Sequence, residues 1–270
     1  MSPSPYSVGW EPLFVVGAAV ASGAYIRSVR QSPVPWWRAT LFGLGIALIV
    51  GAIASPIETI ATHYLLLFHL LQNVMMADWA PPLLILGLTP TMRRAVARGG
   101  GRPLAMLTRP KVALPLWLLT WFGVHLPVFY EFALRHPLAL NLEHALLLLA
   151  GLVFWWPILA DEPHALSTPQ KLAYLGVAFA LSSFLGLAFI FSTTPFYDFY
   201  VDAPRLWGLS PAKDQNLGGV LMNAEQTIVF LSALVYFVLR LLDEEQEQML
   251  AEQRERDREL ELRRRAAPTP

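Results

Sequence analysis

Seven apolar segments, separated by polar connections, dominate the pattern of this chain. They cover 10–27, 36–54, 63–88, 112–130, 138–159, 171–192 and 218–240. A helix that crosses a bilayer needs roughly 17–25 apolar residues, and each segment has about that length. The pattern therefore predicts an all-α polytopic membrane bundle of about seven transmembrane helices. Pro81-Pro82 falls in the third segment and is expected to bend or break that helix, because proline donates no backbone hydrogen bond.

Basic residues predict the direction of these spans. Lys and Arg are concentrated after the first, third and fifth spans and after the last one, whereas the N-terminus and the connection around Glu58 carry none. Because Lys and Arg favour the cytoplasmic side of a membrane, we expect the N-terminus outside and the C-terminus inside. The predicted membrane domain covers 1–241.

A charged tail follows the last span over 242–270. Its acidic residues come first and its arginines last, and Glu and Arg recur four residues apart, which stabilises an exposed helix. The pattern predicts a cytoplasmic helical tail. Two interpretations stay open, a solvated helix without a partner and a helix that docks another protein.

Composition narrows the chemistry of any site. The chain is 55% hydrophobic and 15% charged, with a formal net charge of zero, so we expect contact with membrane lipid and none with nucleic acid. It contains no cysteine, which leaves His, Met, carboxylate and amide groups as metal ligands. The N-terminus lacks the basic region of a cleaved signal peptide, so the first apolar segment is expected to remain as a span.

Histidine is the most informative residue type in this sequence. Only His164 maps to the inner side of the predicted membrane. The other five map to the outer ends of spans, and they are His63, His69, His125, His136 and His144. Because imidazole is a common metal ligand and carries protons near neutral pH, this placement predicts chemistry at the outer face.

A set of polar and sulfur-containing side chains lies at similar depth on four predicted spans. The set consists of His69, His125, Glu143, His144, Met222 and Glu225. Taken singly, each has a structural explanation, such as a hydrogen bond to a neighbouring helix or ordinary packing of a methionine. Glu225 lies about two turns inside its span, and we expect a His or Arg partner on another helix.

Other residues carry structural expectations only. Gly218-Gly219 is expected to let two helices approach closely. Trp155 and Trp156 are expected to anchor the inner interface of the membrane, and Tyr197 and Tyr200 to form an interfacial cap at the outer one.

Four strings in this sequence resemble the CtaG-type membrane proteins linked to cytochrome c oxidase assembly. They are HLLQN…APPLLILG from 69, HLPVFYEFAL from 125, EHALLLLAGLVFWWP from 143 and WGLSPAKDQNLGGVLM from 207. The resemblance covers about 36–240. It implies a multi-pass protein of the bacterial plasma membrane that assists assembly of a haem-copper oxidase, with oxidase subunits as partners and no enzymatic activity of its own.

The resemblance also implies copper handling at the outer face. His69, His125 and His144 would hold Cu(I), with Met222 or Met76 as a weaker ligand and with Glu143 and Glu225 orienting histidines or balancing charge. The chain departs from the family pattern at two positions, since Asn73 and Leu140 stand where further histidines are expected. His63 and His136 are the candidates to replace them.

Two other functions stay open beside copper handling. The two missing histidines favour a metal-free structural chaperone that holds an oxidase subunit by its spans and tail. A haem-binding protein is the other alternative, with two facing histidines as ligands. Because there is no CxxCH motif, such a haem would be noncovalent. A retinal protein is disfavoured, because no lysine lies well inside a predicted span.

Overall fold

The computed structural model describes residues 3–9, 11–160 and 162–266, and every regular element in this part of the chain is a helix. This confirms the all-α prediction. The helices are α1 (Pro12–Gln31), α2 (Trp36–Ile53), α3 (Pro56–His63), α4 (Leu66–Val74), α5 (Ala80–Gly87), α6 (Pro90–Leu107), α7 (Pro110–Val124), α8 (Pro127–Arg135), α9 (Pro137–Leu159), α10 (Thr168–Phe191), α11 (Asp198–Asp202) and α12 (Pro211–Ala266). A π-helical turn, Met75–Trp79, joins α4 to α5.

Most of these helices begin with a proline. Proline suits the first helical position because its φ angle is already helical and its missing N–H would have no partner there. The proline-rich sequence therefore defines where one helix stops and the next one starts.

Five helices are long and apolar enough to cross a membrane by themselves, namely α1, α2, α9, α10 and α12. The pair α7 and α8 makes a sixth candidate if the two count as one span. The chain is therefore a multi-pass membrane protein. The third predicted span, 63–88, corresponds to α4, the π turn and α5, none of which is long enough alone.

The predicted span over 112–130 is broken at Val124. α7 ends there, and α8 leaves it at an angle of 68°. Pro127 explains the break, because the residue before a proline is driven out of the helical conformation, and Leu126 is extended. His125 therefore lies at a corner of the chain and not inside a regular span.

The expected disruption at Pro81-Pro82 takes a different form, since the helix continues through both prolines. The carbonyl of Ala77 would normally accept from residue 81 in an α-helix or from residue 82 in a π turn, and both are prolines without an N–H. Gly151 of α9 lies directly against that carbonyl. The disturbance is therefore a local π turn packed against a glycine.

Two large hydrophobic clusters form most of the core, and a small third one surrounds Leu65. One surrounds the histidine-bearing end of the bundle and includes Leu70, Met76 and Met222. The other lies further along the bundle around Trp117, Phe154 and Phe230. Trp155 and Trp156 belong to this second cluster and are buried, so the expectation that they anchor the membrane interface is wrong.

Helices α10 and α12 approach each other closely at glycines. A Cβ atom on Gly219 would lie 2.7 Å from the carbonyl oxygen of Gly186, and one on Gly218 would lie 2.6 Å from Cδ1 of Leu70. The expectation for Gly218-Gly219 is thereby confirmed.

The charged tail continues α12 without interruption as far as Ala266. Most described side chains beyond 241 are exposed, and Arg240 pairs with Glu244 at 3.1 Å, with the hydroxyl of Thr168 donating to the same carboxylate. The last four residues of the predicted tail, 267–270, lie outside the described residues.

Candidate functional site

Three buried histidines from separate parts of the chain meet at one end of the bundle. His69 comes from α4, His125 from the corner after α7, and His144 from α9, and none is more than 4% exposed. The ring centroids of His69 and His144 are 5.8 Å apart. Tyr130 joins the third ring to them, with centroids 4.7 Å from His69 and 5.7 Å from His125.

The rings of His125 and His144 each donate a hydrogen bond to an oxygen that can only accept one. Nδ1 of His125 lies 2.6 Å from the carbonyl oxygen of Trp121, and Nδ1 of His144 lies 2.7 Å from a carboxylate oxygen of Glu11. Both bonds place the proton on Nδ1. The Nε2 atom of each neutral ring then carries a lone pair.

The third ring has the same arrangement through a tyrosine. Nδ1 of His69 lies 3.0 Å from the hydroxyl of Tyr200, and that hydroxyl donates to the carbonyl of Ala61 at 2.7 Å. With its proton used in this way, the tyrosine oxygen accepts from His69. All three histidines are therefore fixed through Nδ1, the pattern by which proteins orient imidazole ligands.

The three Nε2 atoms differ in what they face. The Nε2 atoms of His69 and His144 have no hydrogen-bond partner among the described residues. A carboxylate oxygen of Glu143 lies 3.4 Å from Nε2 of His69. Nε2 of His125 faces the amide nitrogen of Asn73 at 3.3 Å, and the same amide donates to Glu143 at 3.1 Å. The Nε2 atoms of His69 and His144 are thus free of hydrogen bonds within the described residues, and that of His125 is engaged by an amide.

Further unpaired polar atoms surround these rings. One carboxylate oxygen each of Glu11 and Glu143, the amide oxygen of Asn73 and the hydroxyl of Tyr130 are buried without a hydrogen-bond partner in the described part of the chain. A buried unpaired polar group costs about 1–3 kcal/mol. Such a concentration is typical of a site that receives a ligand, an ion or water.

Within the described residues, no three His, Asp or Glu side chains are placed to share one metal ion. The donor set fits a soft ion held by two imidazoles, because two Nε2 atoms are oriented and unengaged. The third imidazole, that of His125, is engaged by the amide of Asn73.

The remaining predicted site residues are not part of this hydrogen-bonded cluster. His63 and His136 are exposed, the first bonded to the hydroxyl of Thr62 and the second stacked on Phe132. Met222 is buried in the hydrophobic core of the same end of the bundle. The structure therefore brings together His69, His125, Glu143 and His144 of the eight predicted residues.

Glu225 is also separate from the histidines. It accepts a hydrogen bond of 2.7 Å from the indole of Trp79 and lies beside Asp78. The expected His or Arg partner for this carboxyl group is therefore wrong.

A second layer of polar residues supports the helix that carries His69. The amide of Gln72 donates to Glu58 and to the carbonyl of Ala52, both at 2.6 Å. Burial in the short helix α3 raises the pKa of Glu58 above its ordinary value. Asp214 of α12 accepts from the first two N–H groups of α4, at 2.8 and 3.0 Å, and so caps the start of that helix.

Glu11 and Tyr200 belong to the site but were not predicted for it. Glu11 is an acidic residue just before the proline that opens α1, a common place for a carboxylate with no site nearby. Tyr200 is buried at 2% exposure, so the expected interfacial cap is wrong for it. The one sequence signal for Glu11 is that a carboxylate with no nearby basic residue stands at the start of an apolar span.

Comparison with known protein families identifies a match over most of the chain. The family model described as cytochrome c oxidase caa3 assembly factor matches residues 22–244. No curated protein and no solved structure matches this chain significantly. The matched range contains His69, His125, Glu143 and His144, whereas Glu11 lies before it.

Proposed function

We propose a role in copper delivery for this chain, which belongs to the cytochrome c oxidase caa3 assembly factor family. As a member, it assists the assembly of a caa3-type oxidase. In our proposal it resides in the bacterial plasma membrane with its histidine-bearing end outside. There it holds Cu(I) briefly between His69 and His144 and then passes the ion to an oxidase subunit.

The observation that carries this proposal is the pair of oriented, unengaged Nε2 atoms. Both rings are buried, both are held through Nδ1, and their centroids are 5.8 Å apart. Cu(I) is a soft ion that accepts imidazole nitrogen, and the sequence offers no thiolate to compete. Few ligands also favour release, which delivery requires.

Asn73 and His125 regulate that release in our proposal. While the amide engages Nε2 of His125, the ion has two ligands. When the amide turns away, His125 becomes a third ligand and Glu143 balances the charge of the ion. The exchange between the two arrangements gives one route by which copper moves across the site.

One observation favours a second candidate function, a metal-free scaffold for an oxidase subunit. The amide of Asn73 joins His125 to Glu143, so part of the polar cluster is satisfied within the protein. A scaffold needs these bonds only to hold α4, α7 and α9 together.

Metal analysis of purified protein separates these two functions. The wild type and His69→Ala/His144→Ala are purified in detergent under reducing conditions, loaded with Cu(I) and freed of excess ion. We expect nearly one copper per wild-type chain and a loss of most of it in the double variant. His136→Ala is the matched control, because that histidine is exposed and outside the cluster.

Equal copper content in the wild type and the double variant would refute copper delivery. Expression of the double variant in cells that lack this chain then tests the scaffold, since a scaffold restores oxidase activity without the two histidines. A Soret absorption band in the spectrum of the same preparation would instead indicate noncovalent haem.

A further inference from the structure

A second buried polar cluster lies near the middle of the membrane-spanning part, away from the histidines. Asp78 is fully buried in the π turn, and Glu225 and Gln226 of α12 are 5% and 1% exposed. Glu225 is 14 residues after Pro211 and 15 before Arg240, or about 20 Å from each by helix rise. The two carboxyl groups therefore lie close to the middle of an apolar core about 30 Å thick.

Most of the polar atoms in this cluster lack a well-formed hydrogen bond within the described residues. The indole of Trp79 donates to one oxygen of Glu225. Glu225 and Gln226 both face the carboxyl group of Asp78. The other oxygen of Glu225, both oxygens of Asp78 and the amide nitrogen of Gln226 nevertheless make no hydrogen bond of ordinary geometry among the residues described. Carboxyl groups at this depth are costly and usually functional.

These groups lie at the bottom of a cleft between α5 and α12. Its volume is about 310 Å³. The walls are apolar and comprise Pro82, Leu83, Ile228 and Val229, and Ile228 is 68% exposed on the outer surface of the bundle. The cleft has apolar walls and an acidic floor of Asp78 and Glu225, whose carboxyl oxygens are buried just beneath its surface, and it opens on the outer surface of the bundle.

We propose that this cleft receives a transmembrane helix of a partner protein that presents a Lys or Arg side chain at mid-membrane depth. The acidic floor complements a basic group, and the apolar walls match the rest of a membrane helix. A basic side chain in the cleft would satisfy the oxygens of Asp78 and Glu225 together. The partner helix gains equally, because its own charge is otherwise costly in lipid.

A second copy of this chain does not supply such a helix. The Lys and Arg residues in its candidate spans lie near span ends, as Arg38, Lys111 and Lys171 do. The partner is therefore a different membrane protein, consistent with a family whose members assist assembly of an oxidase. This inference needs no copper and stands apart from the proposal for the histidine cluster.

Association with synthetic helices in vesicles tests the cleft. The probe is a polyleucine transmembrane peptide with one central Lys, labelled for energy transfer to the protein in vesicles of phosphatidylcholine and phosphatidylglycerol. We expect the wild type to bind it about tenfold more tightly than Asp78→Asn/Glu225→Gln does, the size of a strong polar contact in a membrane. The same peptide with Leu in place of the Lys should bind both proteins equally and weakly.

Steric variants keep the test decisive if the double variant does not fold. Ile228→Trp fills the mouth of the cleft, whereas Leu231→Trp alters another exposed position of α12 outside it. We expect only Ile228→Trp to abolish binding of the Lys peptide. Equal binding of the Lys and Leu peptides to the wild type, or equal effects of the two tryptophans, would overturn the proposal. His69→Ala/His144→Ala should bind the Lys peptide like the wild type, so failure here is distinct from failure of copper delivery.

Discussion

At the scale of single residues, Asn73 has the most informative position in the histidine cluster. One amide nitrogen joins His125 to Glu143, across two other helical segments. The family resemblance expects a histidine here, and an asparagine is smaller and donates where imidazole would bind metal. The residue thus converts a potential ligand position into a structural bond.

We expect Asn73→Ala to lower the free energy of unfolding by about 1–3 kcal/mol, because it leaves a buried imidazole nitrogen and a buried carboxylate without their donor. Thermal melting in detergent, followed by circular dichroism, measures the loss. Asn141→Ala is the control, since that amide bonds only to a carbonyl of its own helix. A melting temperature equal to that of the control would contradict the structural role of Asn73.

Glu11 supports a second residue-scale prediction. Its carboxylate fixes His144 through Nδ1 and increases the basicity of the ligand nitrogen. On the copper proposal, Glu11→Gln should fold normally but weaken Cu(I) binding by about 10–100-fold. Competition with a chelator of known affinity measures this, and Glu245→Gln in the exposed tail should bind like the wild type.

The candidate site could be predicted only in part. His69, His125, Glu143 and His144 were recognisable because polar groups at similar depth in apolar spans must meet inside the bundle. Glu11 and Tyr200 were not, since their contacts span 133 and 131 residues of chain, and no local pattern encodes such distances.

At the scale of helices, five of the seven predicted spans are single long helices, and the other two are broken. A run of apolar residues signals a helix of a given length, but the corner at His125 depends on a single proline. Burial of Trp155 and Trp156 depends on neighbours such as Phe230, which lies 5.7 Å from the first of them. The general preference of tryptophan for membrane interfaces takes no account of such a packing partner.

The contact between α9 and the π turn yields an element-scale prediction. A methyl group at Gly151 would collide with the carbonyl of Ala77 and lie 2.7 Å from Pro81. Gly151→Ala should therefore separate the two helices and destabilise the protein by about 1–3 kcal/mol.

Gly176→Ala in α10 is the matched control, because a Cβ there has no neighbour within 4 Å. Alanine favours a helix over glycine by about 1 kcal/mol, so the control should be neutral or stabilising. Melting temperatures of the two variants in the same detergent decide the matter. Equal shifts in the two would mean that the close approach at Ala77 is unimportant.

At the scale of the whole molecule, the direction of insertion is the property to test. The chain has no cysteine, so single cysteines can report each side without background. His63→Cys lies at the histidine-bearing end and Met249→Cys in the exposed tail. We expect a membrane-impermeant maleimide added to intact cells to label the first only. Labelling of the tail variant alone would reverse the topology that the charge pattern predicts.

Helix α12 is a single continuous helix that connects the membrane-spanning part to the charged tail. From Asp214 to Ala266 it extends over 53 residues, about 78 Å by helix rise. At one end Asp214 accepts hydrogen bonds from the first turn of the helix that carries His69. At the other end α12 extends about 33 Å past Glu244. One continuous helix thus joins the exposed tail to the start of the helix that carries His69, so the two ends of the molecule share a single rigid element.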